Sequence, residues 1–155
     1  MLWSRLTDLD LTSEIHTDPR AVDDPLLHLL VNVPAASPRL TDRLWLRIVD
    51  LPATLTARRY CGPVDVVLEV TDALCPANAG RWRLTADPDQ ARCERTDGEA
   101  DLALDVRELG AAYLGGTGLT ALVEAGLARE LRPGTLGPAS VAFGWPIAPH
   151  SGWTF

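Results

Sequence analysis

Lysine is missing from this sequence. All 14 basic residues are arginines, which excludes a Schiff-base lysine and a phosphate loop of the kind that ends in lysine. The codon bias of a GC-rich genome accounts for this without any functional purpose. Cysteine is scarce: Cys61, Cys75 and Cys93 are odd in number and widely spaced. With no C-x-x-C pair, neither a zinc site nor a dithiol redox motif is supported, and reduced thiols in a cytoplasm fit best. His16, His28 and His150 are scattered without ligand spacing, so no metal is expected. No apolar run approaches the roughly 20 residues of a membrane span. Arg5, Asp8, Asp10 and Glu14 leave no room for a signal-peptide core. The net charge is −7, with no basic stripe, which argues against nucleic acid and against an anionic membrane surface. An acidic surface either attracts cationic substrates such as polyamines or aminoglycosides, or simply solubilises the chain.

What is present is a repeated unit of strand, cap and short helix. In residues 44–60, Leu44, Leu46 and Ile48 alternate at strand spacing. Asp50 and Pro52 follow, then Leu55 and the Arg58-Arg59 pair. An Asp at a helix start accepts orphan backbone N–H groups, and a first-turn Pro has no such donor to orphan. Two arginines suit the negative end of the helix. The unit recurs in residues 100–114, where Asp105 is the cap and Glu108 stands at capping-box distance. Asp50 and Asp105 are candidate catalytic carboxylates, but capping already accounts for both.

Along the chain, Leu2, Trp3, Leu6 and Leu9 mark a first helix, residues 11–17 a strand, and Asp23-Asp24-Pro25 the start of a second helix. Residues 33–42, VPAASPRLTD, hold two prolines and no periodicity, as a linker does. Val64, Val66, Leu68 and Val70 alternate with polar positions, as do the stretches around Trp82 and Leu84, residues 91–96, and Ala100 to Val106. Short connections, among them the hairpin-type Asp97-Gly98, predict antiparallel pairing. One apolar face per strand predicts helices on one side. Gly115-Gly116-Thr117-Gly118 reads as a turn between helices. Residues 119–131 form an apolar helical stripe, and residues 136–143 a last helix. The expected fold is α+β: about five mainly antiparallel strands with about four helices on one face. The expected layout is an N-terminal segment over residues 1–32, a linker over 33–43 and a single domain over 44–155.

The segments LWLRIVDLPATLTARRY, DVVLEVTD and ADLALDVRELGAAYLGG, followed by a chain ending in Phe, resemble in that order the C-terminal domain of Eis-type (enhanced intracellular survival) acetyltransferases. There, a sterol-carrier-protein-like domain follows two GNAT acetyltransferase domains. The resemblance implies the same fold and makes residues 1–32 the tail of a preceding GNAT domain; an ordinary N-terminal helical appendage is the other reading. It implies an N-acetyltransferase acting on amines of aminoglycoside or polyamine type, with acetyl-CoA as cofactor of the complete enzyme, GNAT domains as partners and homo-oligomer contacts. The chain lacks the glycine loop that binds coenzyme A pyrophosphate at a helix N-terminus. Alone, it is therefore expected to bind no cofactor and to be catalytically silent. A stand-alone lipid or small-molecule carrier is the alternative, with Trp45 and Trp82 lining a tunnel rather than a closed core.

Tyr60 and Tyr113, each ending an amphipathic helix, serve as acids, pocket walls or core residues with tethered hydroxyls. The tail FGWPIAPHSGWTF has four aromatic residues and no side chain from Asp, Glu, Lys or Arg, unlike a disordered tail. It docks in a cleft or packs on its own domain. In Eis-type enzymes the C-terminal carboxylate serves as general base, and Phe155 matches that terminal residue. Such a carboxylate titrates near about 3.5 and rises when desolvated, as a base requires.

Overall fold

The structure, a computed structural model, describes residues 2–11, 13–41 and 44–152. It divides into two compact units, residues 1–45 with 148–155, and residues 46–147.

The first unit holds two short helices, α1 (Leu2–Thr7) and α2 (Leu26–Leu29), and a 3₁₀ turn, Val33–Ala36. Asp24 starts α2 as expected, its Oδ1 accepting the Leu26 N–H at 2.8 Å. This contact and the Arg20 ion pair hold its carboxyl below the usual range. The strand expected over residues 11–17 does not form among the described residues, and Leu11 is 99% exposed. An alternating pattern without a partner strand has nothing to complete its ladder. None of the unit's described residues is buried.

The second unit carries four helices and one sheet. The helices are α3 (Leu51–Ala57), α4 (Val106–Tyr113), α5 (Leu119–Glu124) and α6 (Leu136–Phe143). The strands are β1 (Val64–Thr71), β2 (Gly80–Ala86), β3 (Ala91–Arg95), β4 (Leu102–Asp105) and β5 (Ala128–Glu130). The strand order is β3-β2-β1-β4-β5. Inward residues of β1, β2 and β4, such as Val66, Leu84 and Leu104, join Leu51, Leu55, Leu109, Leu119 and Phe143 in one buried cluster. The other face is charged: Arg83 grips Asp65 through two hydrogen bonds of 2.8 and 2.6 Å, and Arg81 reaches Glu69 at 3.4 Å. The α+β expectation therefore holds, with apolar residues on one sheet face and ion pairs on the other.

The sheet is mainly antiparallel as expected, and one pairing departs from the antiparallel neighbours that the short connections predict. β4 lies parallel to β1, with Leu68 opposite Leu102. β3 ends at Arg95, which lies level with Trp82 and hence with Leu68. β4 starts at that same level, so the chain needs only to cross two strands, not to reverse. Residues 96–101 make the crossing over β2 and β1. Thr96 N–H donates to Arg81 O, and Asp101 N–H to Val67 O. Asp97-Gly98 is thus part of a crossover and not a hairpin turn. Asp101 then stands in for a strand partner, its Oδ2 accepting the Val67 N–H at 2.8 Å and its Oδ1 binding Arg132 Nε at 2.6 Å.

Two further expectations are corrected. Residues 44–48 form no strand of the sheet. Their neighbours' backbone groups are satisfied by a side chain instead: Asn78 Nδ2 donates to Val49 O at 3.1 Å, and its Oδ1 accepts the Leu51 N–H at 3.0 Å. The helical stripe over residues 119–131 breaks after Glu124. Gly126, at φ 73°, donates to Val123 O, and Leu127 N–H to Leu122 O. This pair of bonds is a Schellman ending, which requires a left-handed residue. The chain beyond it becomes β5, so Arg129 and Arg132 do not close a helix.

Candidate functional site

Both predicted caps are caps. Asp50 accepts from Ala53 N at 3.0 Å, and Asp105 from Arg107 N at 3.1 Å. Glu108 does not complete a capping box. Its Oε2 is buried with no hydrogen-bond partner among the described residues, and its Oε1 lies 3.9 Å from Arg107. Of the two tunnel candidates, Trp45 is 86% exposed. Trp82 is buried, donates to Asn78 O at 2.8 Å and carries the Arg95 guanidinium 4.4 Å above its ring. It is a core residue with a tethered indole.

The arrangement of most chemical interest lies where α6 ends. Tyr60 and Phe143 meet edge-to-face, their centroids 5.4 Å apart. The Arg58 guanidinium lies 4.6 Å from the Tyr60 ring, 4.7 Å from Phe143 and 5.5 Å from Tyr113. Cations are drawn to aromatic faces, and here three faces are offered to one cation. Arg58 Nη2 donates to Phe143 O at 3.0 Å, and Nε to Arg59 O at 3.1 Å. Nη1 is buried without a hydrogen-bond partner among the described residues. Burial pulls the Arg58 pKa down, against the pull of the two phenols and Cys61. Arg58 follows α3, but it also serves the negative end of α6. Both tyrosines have tethered hydroxyls: Tyr60 donates to Leu55 O at 2.8 Å and Tyr113 to Thr54 O at 3.4 Å. Burial raises the Tyr60 pKa, so its phenol stays protonated and is no ready acid.

The glycine turn completes this corner. Gly115 has φ 81°, and a Cβ placed there would lie 2.8 Å from Trp145 Cβ. The turn is therefore filled by the chain's own tail. α5, which follows it, has only six residues, and Ser140 Oγ takes its Thr120 N–H at 3.4 Å. The residues present do not fit the pyrophosphate of acetyl-CoA, which needs open backbone donors at a helix start.

Sequence reasoning grouped Tyr60, Tyr113 and the aromatic tail only as separate candidates; the structure brings the two tyrosines together with Phe143. Arg58 was legible only as a helix-end cation. Within the first unit, the tail is held by the Ala148 N–H donating to Asp23 Oδ2 at 2.7 Å. Gly152 is exposed and Ser151 half-buried. Phe155, the predicted catalytic residue, lies outside the described residues. Elsewhere, an open groove of about 740 Å³ at one end of the β1–β3 region is lined by Asp65, Arg83 and Arg92. Its arginines are already engaged by Asp65 and Glu94. No helix among the described residues is long and apolar enough to cross a membrane.

Comparison with known proteins places this geometry. The sterol carrier protein domain family matches residues 51–152. An uncharacterized N-acetyltransferase of Streptomyces coelicolor is 53% identical over 148 residues, covering 96% of this chain and 36% of that protein. The N-acetyltransferase Eis of Mycobacterium tuberculosis is 41% identical over 122 residues, covering 74% of this chain and 28% of that one. The crystal structure of Eis1 from Mycobacterium abscessus superposes with a TM-score of 0.82 at 39% identity, over 99% of this chain and 39% of that one. The chain thus spans about a third of the length of these curated relatives. It belongs to the sterol carrier protein domain family, in the form found within N-acetyltransferases that include the Eis proteins.

Proposed function

We propose that this chain acts as the carboxy-terminal domain of an Eis-like, acetyl-CoA-dependent N-acetyltransferase. The acceptors are amines of aminoglycoside or polyamine type, and the domain is silent without its acetyltransferase partners. The observation that carries this reading is a 53% identity running through nearly the whole chain yet confined to about a third of a protein named as an N-acetyltransferase. The blocked glycine turn supports it, since acetyl-CoA must then be held elsewhere. In the same reading, residues 1–32 belong with a preceding acetyltransferase domain, residues 33–43 are the linker, and the carboxylate of Phe155 is the general base that deprotonates the amine. A stand-alone lipid carrier is not favoured: Leu51, Leu55, Leu84 and Leu109 are fully buried within one cluster, where a tunnel would need open space.

The test is acetyl transfer from acetyl-CoA to tobramycin and spermidine, followed by release of the coenzyme thiol. This chain by itself should show no transfer above background. A chimera in which it replaces the matching third of the Streptomyces coelicolor relative should show transfer. Turnover by the isolated chain would overturn the reading, and so would a folded chimera that acetylates neither amine while the parent acetylates either.

A further inference from the structure

From Pro133 onward the sequence holds no Asp, Glu, Lys or Arg, in a chain that is 23% charged. α6 lies in this uncharged stretch. A helix on a domain surface keeps a polar face toward water, and a helix that is apolar all round is a buried one. α6 buries Ala139, Ala142 and Phe143. Its outward residues are Gly137, Pro138 and Val141, and Val141 is 66% exposed. Its one hydroxyl belongs to Ser140, which is half-buried and accepts the Thr120 N–H at 3.4 Å. The other helices of the same unit behave differently. α3 exposes Thr56, α4 exposes Arg107, and α5 exposes Thr120 and Glu124.

The apolar surface continues past the helix. Trp145 is exposed and lies against the turn at Gly115, where a Cβ would stand 2.8 Å from its own Cβ. Leu114 in that turn is exposed as well, and Ile147 is 68% exposed. On the other side, a Cβ at Gly62 would lie 3.8 Å from Val141 Cγ1. Single exposed apolar side chains are ordinary. A run of them on a helix without charge marks a contact surface.

The size of the patch selects its occupant. A stable interface between separate molecules takes about 20–30 residues from each side. This patch is one helix of eight residues with a few flanking side chains. It offers no arginine to an anionic lipid surface, and the chain's net charge is −7. A domain tethered in the same polypeptide needs far less area, because the tether holds it at an effective concentration of about millimolar. The Streptomyces coelicolor relative supplies such a neighbour: this chain covers 36% of it, and the remainder is the larger body.

We infer that the outward face of α6, with Leu114, Trp145 and Ile147 beside it, is the surface on which the acetyltransferase portion of the longer polypeptide docks, through an uncharged apolar face of its own. This rests on the reading of the chain as one domain of an N-acetyltransferase.

The experiment is hydroxyl-radical footprinting of Trp145 and Val141, read by mass spectrometry and normalised to a free reporter peptide. It compares this chain with the Streptomyces coelicolor chimera. Both residues should be labelled in this chain, and that labelling should be lost in the chimera. It should return in a chimera carrying Val141→Glu and Ile147→Glu together, since an apolar face cannot desolvate two unpaired carboxylates. In this chain alone the same pair should move the melting temperature by less than about 4 °C, as surface substitutions do. Equal labelling in chain and chimera overturns the inference, and so does protection that survives the two glutamates. A larger fall in melting temperature would make this face part of the domain's own core, which overturns it too. Dimers of this chain in sedimentation with Trp145 already protected would name a second copy as the occupant. Protection conferred by phosphatidylcholine vesicles would name a membrane. Either result overturns the docking of the acetyltransferase portion. The readout needs no turnover. A folded chimera that covers Trp145 yet acetylates neither amine supports this face while the proposed activity falls, and an active chimera with Trp145 open does the reverse.

Discussion

Asp72 and Asn78 form the buried polar knot that ties residues 47–51 to the domain. Asp72 accepts from Asn78 Nδ2 at 3.0 Å, from the Cys75 and Leu74 N–H groups, and from Arg47 Nη2 at 2.6 Å. These bonds, Asn78 foremost, hold its carboxyl down at about 2 from an ordinary 3.8. A depressed folded value means that the stabilisation is fully present above the ordinary carboxylate pKa and is lost as pH falls toward the folded value. The protein should therefore weaken between about pH 4 and pH 2. Asn78→Ala removes the largest of those contacts and also orphans the Leu51 N–H. An orphaned buried donor costs about 1–3 kcal/mol, so the melting temperature at pH 7 should fall and the acid transition should move to higher pH. Circular dichroism melts across pH 2–7 check both; an unmoved acid midpoint would remove Asn78 from the control of Asp72. The caps at Asp50 and Asp105 were legible in sequence because cap and partner lie within three residues. Asp72 was not, because Arg47 lies 25 residues away in sequence and nothing local marks either residue.

At the scale of elements, alternation found β1 and β2 because each buries one face, whereas β4 is buried on both, with Leu102, Ala103 and Leu104 all inside. It failed at residues 44–48, since period two reports a one-sided extended chain and not a ladder. It was also silent on direction. A six-residue link predicts antiparallel neighbours only if the chain turns back, and here it crosses at constant height to set β4 beside β1. The helical stripe through Leu127 and Leu131 was a coincidence of spacing. Leu127 is 54% exposed, and the Schellman ending at Gly126 overrides the periodicity. That ending is directly testable. A Cβ at Gly126 would meet nothing within 4 Å, yet the residue sits at φ 73°. Gly126→Ala therefore isolates the cost of the left-handed conformation, about 1–2 kcal/mol. Chemical denaturation should show that loss with an unchanged m-value. A neutral result would mean that α5 ends by another route, and a much larger loss would mean that β5 pairing depends on the turn.

For the whole molecule, the decisive fact is where burial lies. Every buried residue among those described falls between Ile48 and Phe143. The first unit buries none of its described residues and so has no core of its own to contribute. Residues 46–147 contain the sheet, its four helices and the knot around Asp72. They also contain Arg58, Gly115 and Trp145. Stability follows buried apolar area, and the m-value follows the area newly exposed on unfolding. A fragment of residues 46–147 should therefore fold cooperatively, with a melting temperature within about 4 °C of the whole chain, a shift that corresponds to about 1 kcal/mol at this size. Its m-value should be nearly that of the 155-residue chain, because every buried residue among those described lies within it. Paired thermal and urea melts of the two proteins measure both quantities. A fragment that melts far lower, or that exposes markedly less surface on unfolding, would show that residues 46–147 do not suffice for the fold. The amide pattern of β1 and β4 in the fragment gives the same answer residue by residue: protection equal to the whole chain at Val67 and Leu104 means that the domain stands by itself.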